Sequence, residues 1–303
     1  MSRSNKKRRL GWIVLPVLLI SIFAWSLIAG LSIARLPPAQ IIAHRGACRH
    51  APENTLIAYE KAIEMGVDGV ECDILVTADG EVVLSHDDTI DRCSGGTGRV
   101  DEMTFAQLRE LDFGAWFGEG FAGTLIPTLD EFLDVVQDVG LILIELKNGD
   151  GDIAAKAVEA VQKRNLMGKV IFQSFDMEAI QACKAIDANA YIALLYNGGS
   201  EYDKAARDNV KEFCKEYSLD GLHPQYASLS SKIVRECAEI GVEVRTWTPN
   251  DTLFLGGGNG QGARGLITDN IELAYKLLEL PAFARRALAL AGDVVCLVSP
   301  LLN

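Results

Sequence analysis

Leu141-Ile142-Leu143-Ile144-Glu145-Leu146-Lys147 holds five apolar residues in seven positions, the first four consecutive. An unbroken apolar run of this kind, rather than an alternating one, belongs to a strand buried on both faces, as in a parallel sheet covered by helices. Similar runs precede it at residues 41–44 and 69–74. Others follow at 170–174, 191–195, 219–222, 242–247 and 265–267. Helical patterns separate them over 52–65, 129–139, 153–166, 177–186, 203–217 and 230–240. Strand and helix alternate, and eight strands are the number that closes a (β/α)8 TIM barrel. An open doubly wound sheet is the alternative, but no GxGxxG opens a helix after the first strand.

Two interruptions modify the repeat. Residues 75–127 begin with a hairpin signal, Thr77-Ala78-Asp79-Gly80, and continue through a Gly-rich, aromatic segment. The chain therefore predicts a small inserted subdomain after strand two, over about 87–125. Gly256 to Gly262 holds five glycines in seven residues where the seventh helix should bury an apolar face, which predicts a short or missing helix.

The 303 residues are 49% apolar and 23% charged, with 28 Gly and 9 Pro, an ordinary globular composition that excludes disordered, collagen-like and disulfide-scaffold classes. Five of the 29 Lys and Arg fall in the first nine residues, leaving 24 against 41 Asp and Glu. So acidic a body argues against a nucleic-acid partner. The seven cysteines make no CxxC pair and no zinc-type spacing, and their odd number prevents complete internal pairing.

Leu10 to Ala34 is a 25-residue uncharged, mostly apolar stretch. As a helix it would reach about 37 Å against a ~30 Å hydrocarbon core. Behind a basic tail over 1–9, it predicts a single transmembrane anchor over 10–34 with a cytoplasmic N-terminus and an extracytoplasmic catalytic domain over 39–280. A cleaved signal ending at Ser32-Ile33-Ala34 is the alternative. Several cysteines in an exported body pull mildly the other way. The apolar tail over 281–303 suits either the bilayer surface or a helix covering the barrel.

Barrel active sites sit at the C-terminal ends of the strands, so the polar residues there carry the functional reading. Strand one ends in His44-Arg45-Gly46. Glu71 and Asp73, two apart on strand two, face the same side, as do Glu145 and Lys147. Three converging carboxylates would raise one another's pKa without counter-charge, so Glu71, Asp73 and Glu145 are candidate ligands of one divalent cation. All-oxygen ligation selects Mg2+ or Ca2+. With Arg45 and Lys147 added, that site is left one positive charge in excess and suits a phosphodiester monoanion. His44 and His86 fit the two proton transfers of its cleavage, acid and base in an unassigned order.

His44-Arg45-Gly46, Pro52-Glu53-Asn54-Thr55, Glu71-Cys72-Asp73, Thr77-Ala78-Asp79-Gly80 and His86-Asp87, in this order, resemble the glycerophosphodiester phosphodiesterase family. Ile126-Pro127-Thr128-Leu129, Ile144-Glu145-Leu146-Lys147 and Thr246-Trp247-Thr248 extend the likeness, which runs from about 41 to 280. The resemblance implies metal-dependent hydrolysis of a small-molecule glycerophosphodiester to glycerol 3-phosphate and an alcohol. It implies His44 and His86 as the acid/base pair, Glu71, Asp73 and Glu145 as metal ligands, and Arg45 and Lys147 as phosphate contacts. It also implies that the glycerol hydroxyl can attack first, through a cyclic phosphate. Cys93-Ser94 departs from the Thr-Thr that often follows the family's arginine, here Arg92, which bears on the substrate-facing wall.

Glu53 reads either as a glycerol contact or as a carboxylate at the helix N-terminal dipole. Gln173, His223 and Trp247 end strands and are candidates for the pocket wall, Trp247 as an apolar or cation-π face. His223 reads better as structural, and His50 as solvated. Two other functions fit the same residues. One is a lysophospholipase D-like or glycerophosphate-polymer phosphodiesterase at the membrane, and the other a catalytically silent barrel that binds lipid headgroups.

Overall fold

A computed structural model describes residues 38–147, 151–197 and 208–280, with isolated positions at 204, 206 and between 284 and 291. The expected anchor over 10–34, the basic tail and most of the segment after 280 lie outside the described residues. Among the described residues no helix is long and apolar enough to cross a membrane.

Nine strands form the sheet: β1 (Gln40–His44), β2 (Gly69–Val76), β3 (Val82–Leu84), β4 (Leu141–Leu146), β5 (Val170–Ser174), β6 (Tyr191–Tyr196), β7 (Gly221–Pro224), β8 (Glu243–Trp247) and β9 (Gly265–Thr268). Eight of them, all but β3, pair in parallel, and β1 bonds to both β9 and β2, so the sheet closes into a barrel. The (β/α)8 expectation holds. β3 is the returning arm of the hairpin, antiparallel to β2 with Ile74 opposite Leu84.

Alternate residues along each strand separate two cores. Ile42, Leu141, Leu143, Ile171, Ala193 and Ile267 meet inside the barrel. Their neighbours, such as Ile41, Ala43, Ile142 and Ile144, pack outward under the helices. This period of two decides which side chains reach the mouth. The insertion has a separate small core of Leu75, Val83, Ile90, Val100, Leu108, Phe113 and Ile126.

Helices follow the strands at α1 (Leu56–Glu64), α2 (Phe105–Leu108, in the insertion), α3 (Leu129–Val136), α4 (Gly151–Lys163), α5 (Met177–Ile186), α6 (Val210–Glu216), α7 (Ser231–Ala238), α8 (Thr252–Gln261) and α9 (Ile271–Leu278). Thr128 begins α3 with a reciprocal capping box to Glu131, so the chain leaves the insertion and resumes the barrel at a fixed point.

α8 corrects the sequence reading, because the glycine run is helical. Asp251 caps it by accepting from the N–H groups of Leu253 and Phe254, and Gly262 ends it in the left-handed region at φ 93°. Low helix propensity is outweighed by packing. A Cβ at Gly258 would lie 2.8 Å from Leu266 Cδ2, and one at Gly256 would collide with the Leu288 side chain. Glycine here lets the helix backbone approach β9, replacing the apolar face that a pattern of larger residues would have signalled.

Candidate active site

The mouth is assembled by register. β1 pairs with β2 so that His44 lies beside Glu71, while Asp73 lies beside Glu145 on β4 and Glu145 beside Gln173 on β5. Three carboxylates thereby converge: one oxygen from each of Glu71, Asp73 and Glu145 falls within 4.8 Å of the others, and all three residues are buried.

Two cations compensate them. Lys147 Nζ sits 2.9 Å from Asp73 Oδ1 and 2.6 Å from Glu145 Oε1. Arg45 Nε is 3.2 Å from Asp73 Oδ2, and the Arg45 backbone N–H donates to Glu71 Oε2 at 3.1 Å. That backbone bond needs a sharp departure from β1, supplied by Arg45 at φ 56° and Gly46 at φ 80° in succession. A Cβ at Gly46 would stand 2.8 Å from the backbone of Ala58, so the turn is pressed against α1.

The three acids do not respond alike, which refines the expectation of mutual repulsion. Burial, then the Asp73 and Glu145 charges, push Glu71 well above the ordinary carboxylate range. Burial and Asp73 push Glu145 up to about 7, with Lys147 opposing. Burial also works to raise Asp73, but Lys147 and Arg45 both fall on it and hold it below its ordinary value. Neighbouring groups fix the ligands in place. Asn54 Nδ2 donates to Asp73 Oδ2 at 2.8 Å and is itself held by the Tyr59 hydroxyl. Gln173 Nε2 donates to Glu71 Oε1 at 3.2 Å while its carbonyl meets His223 Nδ1 at 2.8 Å. His223 is fully buried, in keeping with its structural reading. Asp73 Oδ1 is buried and accepts no well-directed hydrogen bond. That oxygen faces the Lys147 ammonium and belongs to a buried all-oxygen set of three converging carboxylates, a donor set that fits a hard divalent cation.

Each of the two mouth histidines is gripped at Nδ1 by a carboxylate. His44 Nδ1 lies 2.7 Å from Asp269 Oδ1, and Asp269 is steadied by Asn250 Nδ2 at 2.6 Å and by the Cys48 thiol at 3.3 Å. His86 Nδ1 lies 2.6 Å from Asp87 Oδ1. In both rings this grip leaves Nε2 as the working nitrogen. Burial, ahead of every other influence, lowers His86 from its usual pKa. Burial opposes ionisation of Asp269, but bonds to His44, Cys48 and Asn250 bring it to about 2.

His44, Arg45, Glu71, His86, Glu145 and Lys147 line one side of a pocket of about 380 Å³; Gln173, Phe175, Leu195, Trp247 and Ile267 line the other. Phe175 and Trp247 meet edge to face at 5.3 Å. Trp247 thus stands where the sequence places it. Thr55, not Glu53, caps α1, and the Glu53 carboxylate is bracketed by Arg45 and Arg92. His50 is exposed, as expected, and pairs at the surface with Glu272 at 2.6 Å.

Sequence reasoning passes over Asp269, Asn54 and Phe175. Asp269 follows the end of β9 just as Lys147 follows β4, so the strand-end rule that finds Lys147 would also have found it. Nothing in the spacing of Asn54 signals its bond to Asp73.

Comparison with known proteins agrees with this geometry. Residues 44–273 match the model of the glycerophosphoryl diester phosphodiesterase family. A glycerophosphodiester phosphodiesterase of Caldanaerobacter subterraneus subsp. tengcongensis is 35% identical over 244 residues, covering 78% of this chain and 97% of that protein. One from Bacillus subtilis is 30% identical, covering 90% and 98% respectively. Among solved structures, a phosphodiesterase of Oleispira antarctica in complex with the product sn-glycerol-3-phosphate superposes with a TM-score of 0.70 at 28% identity, over 82% of this chain and 98% of the other. The chain belongs to the glycerophosphoryl diester phosphodiesterase family and is a phosphoric diester hydrolase.

Proposed function

We infer that the protein hydrolyses glycerophosphodiesters to sn-glycerol 3-phosphate and an alcohol. The observation that carries this is the buried set Glu71, Asp73 and Glu145 beside Arg45 and Lys147, at a mouth where two histidines are each held on a carboxylate. Glu71, Asp73 and Glu145 would hold the divalent cation, Mg2+ or Ca2+. When bound, it supplies Lewis-acid stabilisation of charge on the phosphoryl oxygens.

The chain's own groups do the rest. Arg45 and Lys147 meet the non-bridging oxygens, where charge grows in the transition state. His86, which burial keeps below its ordinary pKa and therefore neutral at pH 7, takes the proton from the attacking oxygen, either water directly or the glycerol hydroxyl, whose cyclic phosphate product water then opens to sn-glycerol 3-phosphate. As the new P–O bond forms and the old one breaks, His44, backed by Asp269, delivers a proton to the departing alcohol oxygen. Phe175 and Trp247 form an apolar wall for the alcohol part of the substrate.

Residues 10–34 act in this reading as a single membrane anchor that holds the catalytic body outside the cytoplasm. Its support is the 25-residue uncharged run behind five cations. β1 starts at the barrel face opposite the mouth, and only five residues, 35–39, separate the run from Gln40.

The test is turnover of glycerophosphocholine, glycerophosphoethanolamine and glycerophosphoglycerol by the purified chain with Mg2+ or Ca2+, before and after EDTA. Cation-dependent release of sn-glycerol 3-phosphate is expected. Undiminished cleavage after complete chelation refutes the metal assignment, and tight binding of a diester without cleavage supports the silent barrel instead.

A further inference from the structure

We propose that Arg92, carried by the insertion, is a positioning residue for the reaction: its single guanidinium fixes both the carboxylate that orients His86 and the carboxylate that orients Arg45. The inference rests on the roles of His86 and Arg45 given above.

Arg92 Nη1 and Nη2 donate in parallel to Oε2 and Oε1 of Glu53, both at 2.8 Å. Glu53 Oε1 also accepts from Arg45 Nη1 at 2.9 Å. On its third side, Arg92 Nε donates to Asp87 Oδ2 at 2.7 Å, and the other oxygen of Asp87 holds His86 Nδ1. The chain of contacts from Arg45 through Glu53, Arg92 and Asp87 to His86 thus passes through one planar group. Bonds to Arg92 and His86 hold Asp87 ionised at about 2 against its partial burial.

Neither end of this chain is held by secondary structure. His86 and Asp87 follow β3 in irregular loop, and Glu53 precedes the cap of α1. Loop residues need a cross-link to keep a catalytic geometry, and misplacement by about 1 Å can cost on the order of 100-fold in rate. A guanidinium offers its N–H groups at fixed angles, so it can fork onto one carboxylate and reach a second, which a lysine ammonium on a flexible stem cannot reproduce. Arg92 lies outside the lining of the pocket that holds the three carboxylates and borders the adjoining one beside Glu53, His86 and Asp87, and all its side-chain bonds go to Glu53 and Asp87. Its bonds are not required merely to attach the insertion. The insertion has its own core and a second ion pair to the barrel, Arg109 with Glu131.

The experiment uses the full chain with its divalent cation and the glycerophosphodiester it turns over fastest. Glu53→Gln should chiefly raise KM, because it frees Arg45, and Asp87→Asn should chiefly lower kcat, because it frees His86. Arg92→Gln should do both, with kcat/KM down about 10- to 100-fold. Arg92→Lys, which keeps the charge, should recover no more than a few-fold of that loss. Added to the Glu53→Gln/Asp87→Asn double variant, Arg92→Gln should cost less than about 2-fold more, since its partners are already gone.

Calorimetric binding of sn-glycerol 3-phosphate should weaken with Arg92→Gln and Glu53→Gln but not with Asp87→Asn. This readout does not depend on turnover: if the wild-type chain cleaves no glycerophosphodiester, the functional reading fails while the Arg92 to Glu53 link is still decided. Wild-type kcat and KM in either Arg92 variant overturns the proposal. So does a loss that only follows the folded fraction and multiplies independently with the partner variants. If Arg92→Gln does not fold, the Arg92→Lys comparison decides.

Discussion

The two halves of the barrel mouth are built from opposite materials. On β1, β2, β4 and the hairpin arm, His44, Glu71, Asp73, Glu145, Lys147 and His86 are each tied to at least one charged or amide partner. On β5, β6, β8 and β9 the wall is Phe175, Leu195, Trp247 and Ile267, in contact through apolar atoms and one aromatic pair. The polar half is closely braced because charges removed from water must be paired, and each partner then needs a partner of its own. The apolar half has no such requirement and can vary in shape. Chemistry and specificity are therefore separated across one pocket, and they should respond to mutation on different scales.

The largest effect should come from the histidines. His44→Ala and His86→Ala, measured as kcat on one diester, should each lose about 100- to 10,000-fold while circular dichroism and melting temperature stay close to wild type. Retained turnover in either would remove that residue from the proton-transfer pair.

Next, Lys147→Met leaves Asp73 and Glu145 buried without their ammonium. A loss of about 3 kcal/mol in denaturant unfolding is expected, partly reversed by added Mg2+ or Ca2+. Unchanged stability without the cation would mean that these carboxylates are not a charge cluster in need of compensation.

A smaller, directional effect concerns pH. With His86 required neutral, kcat/KM should fall on the acid side at a pH below the ordinary histidine value, since burial outweighs its other influences. The Asp87 bond works the opposite way, favouring the protonated ring. Asp87→Asn should consequently move that acid limb still lower, and movement to higher pH would contradict the assignment.

The smallest effect should lie on the apolar side. Phe175→Ala should change kcat/KM by only about 2- to 10-fold, to an extent that depends on the alcohol part of the diester. A uniform loss across glycerophosphocholine, glycerophosphoethanolamine and glycerophosphoglycerol would place Phe175 against the shared glycerol phosphate instead.

The strands were legible because each announces itself locally: residues 141–146 and 170–174 agree with β4 and β5 residue for residue. The three carboxylates and two histidines were legible because polar side chains interrupt apolar strands or follow them directly. α8 was not, since a glycine helix is stabilised by how closely it approaches Leu266 and Thr246, and no pattern of large apolar residues records that. The partners of Glu53 were not legible for a related reason: its two arginines come from positions 8 and 39 residues away, one of them within the insertion.

By itself, the chain determined the alternation of strand and helix, the barrel, the inventory of charged groups at the strand ends and the excess of acid over base. Those follow from periodicity and composition, which are properties of neighbours along the backbone. Only the tertiary structure decided which acid is held ionised, which carboxylate each histidine grips, and that one arginine of the insertion joins both ends of the site. Such facts depend on strand register and loop closure, where displacement by one residue would turn Asp73 away from Glu145 and Lys147 and undo the pairing that makes their burial tolerable.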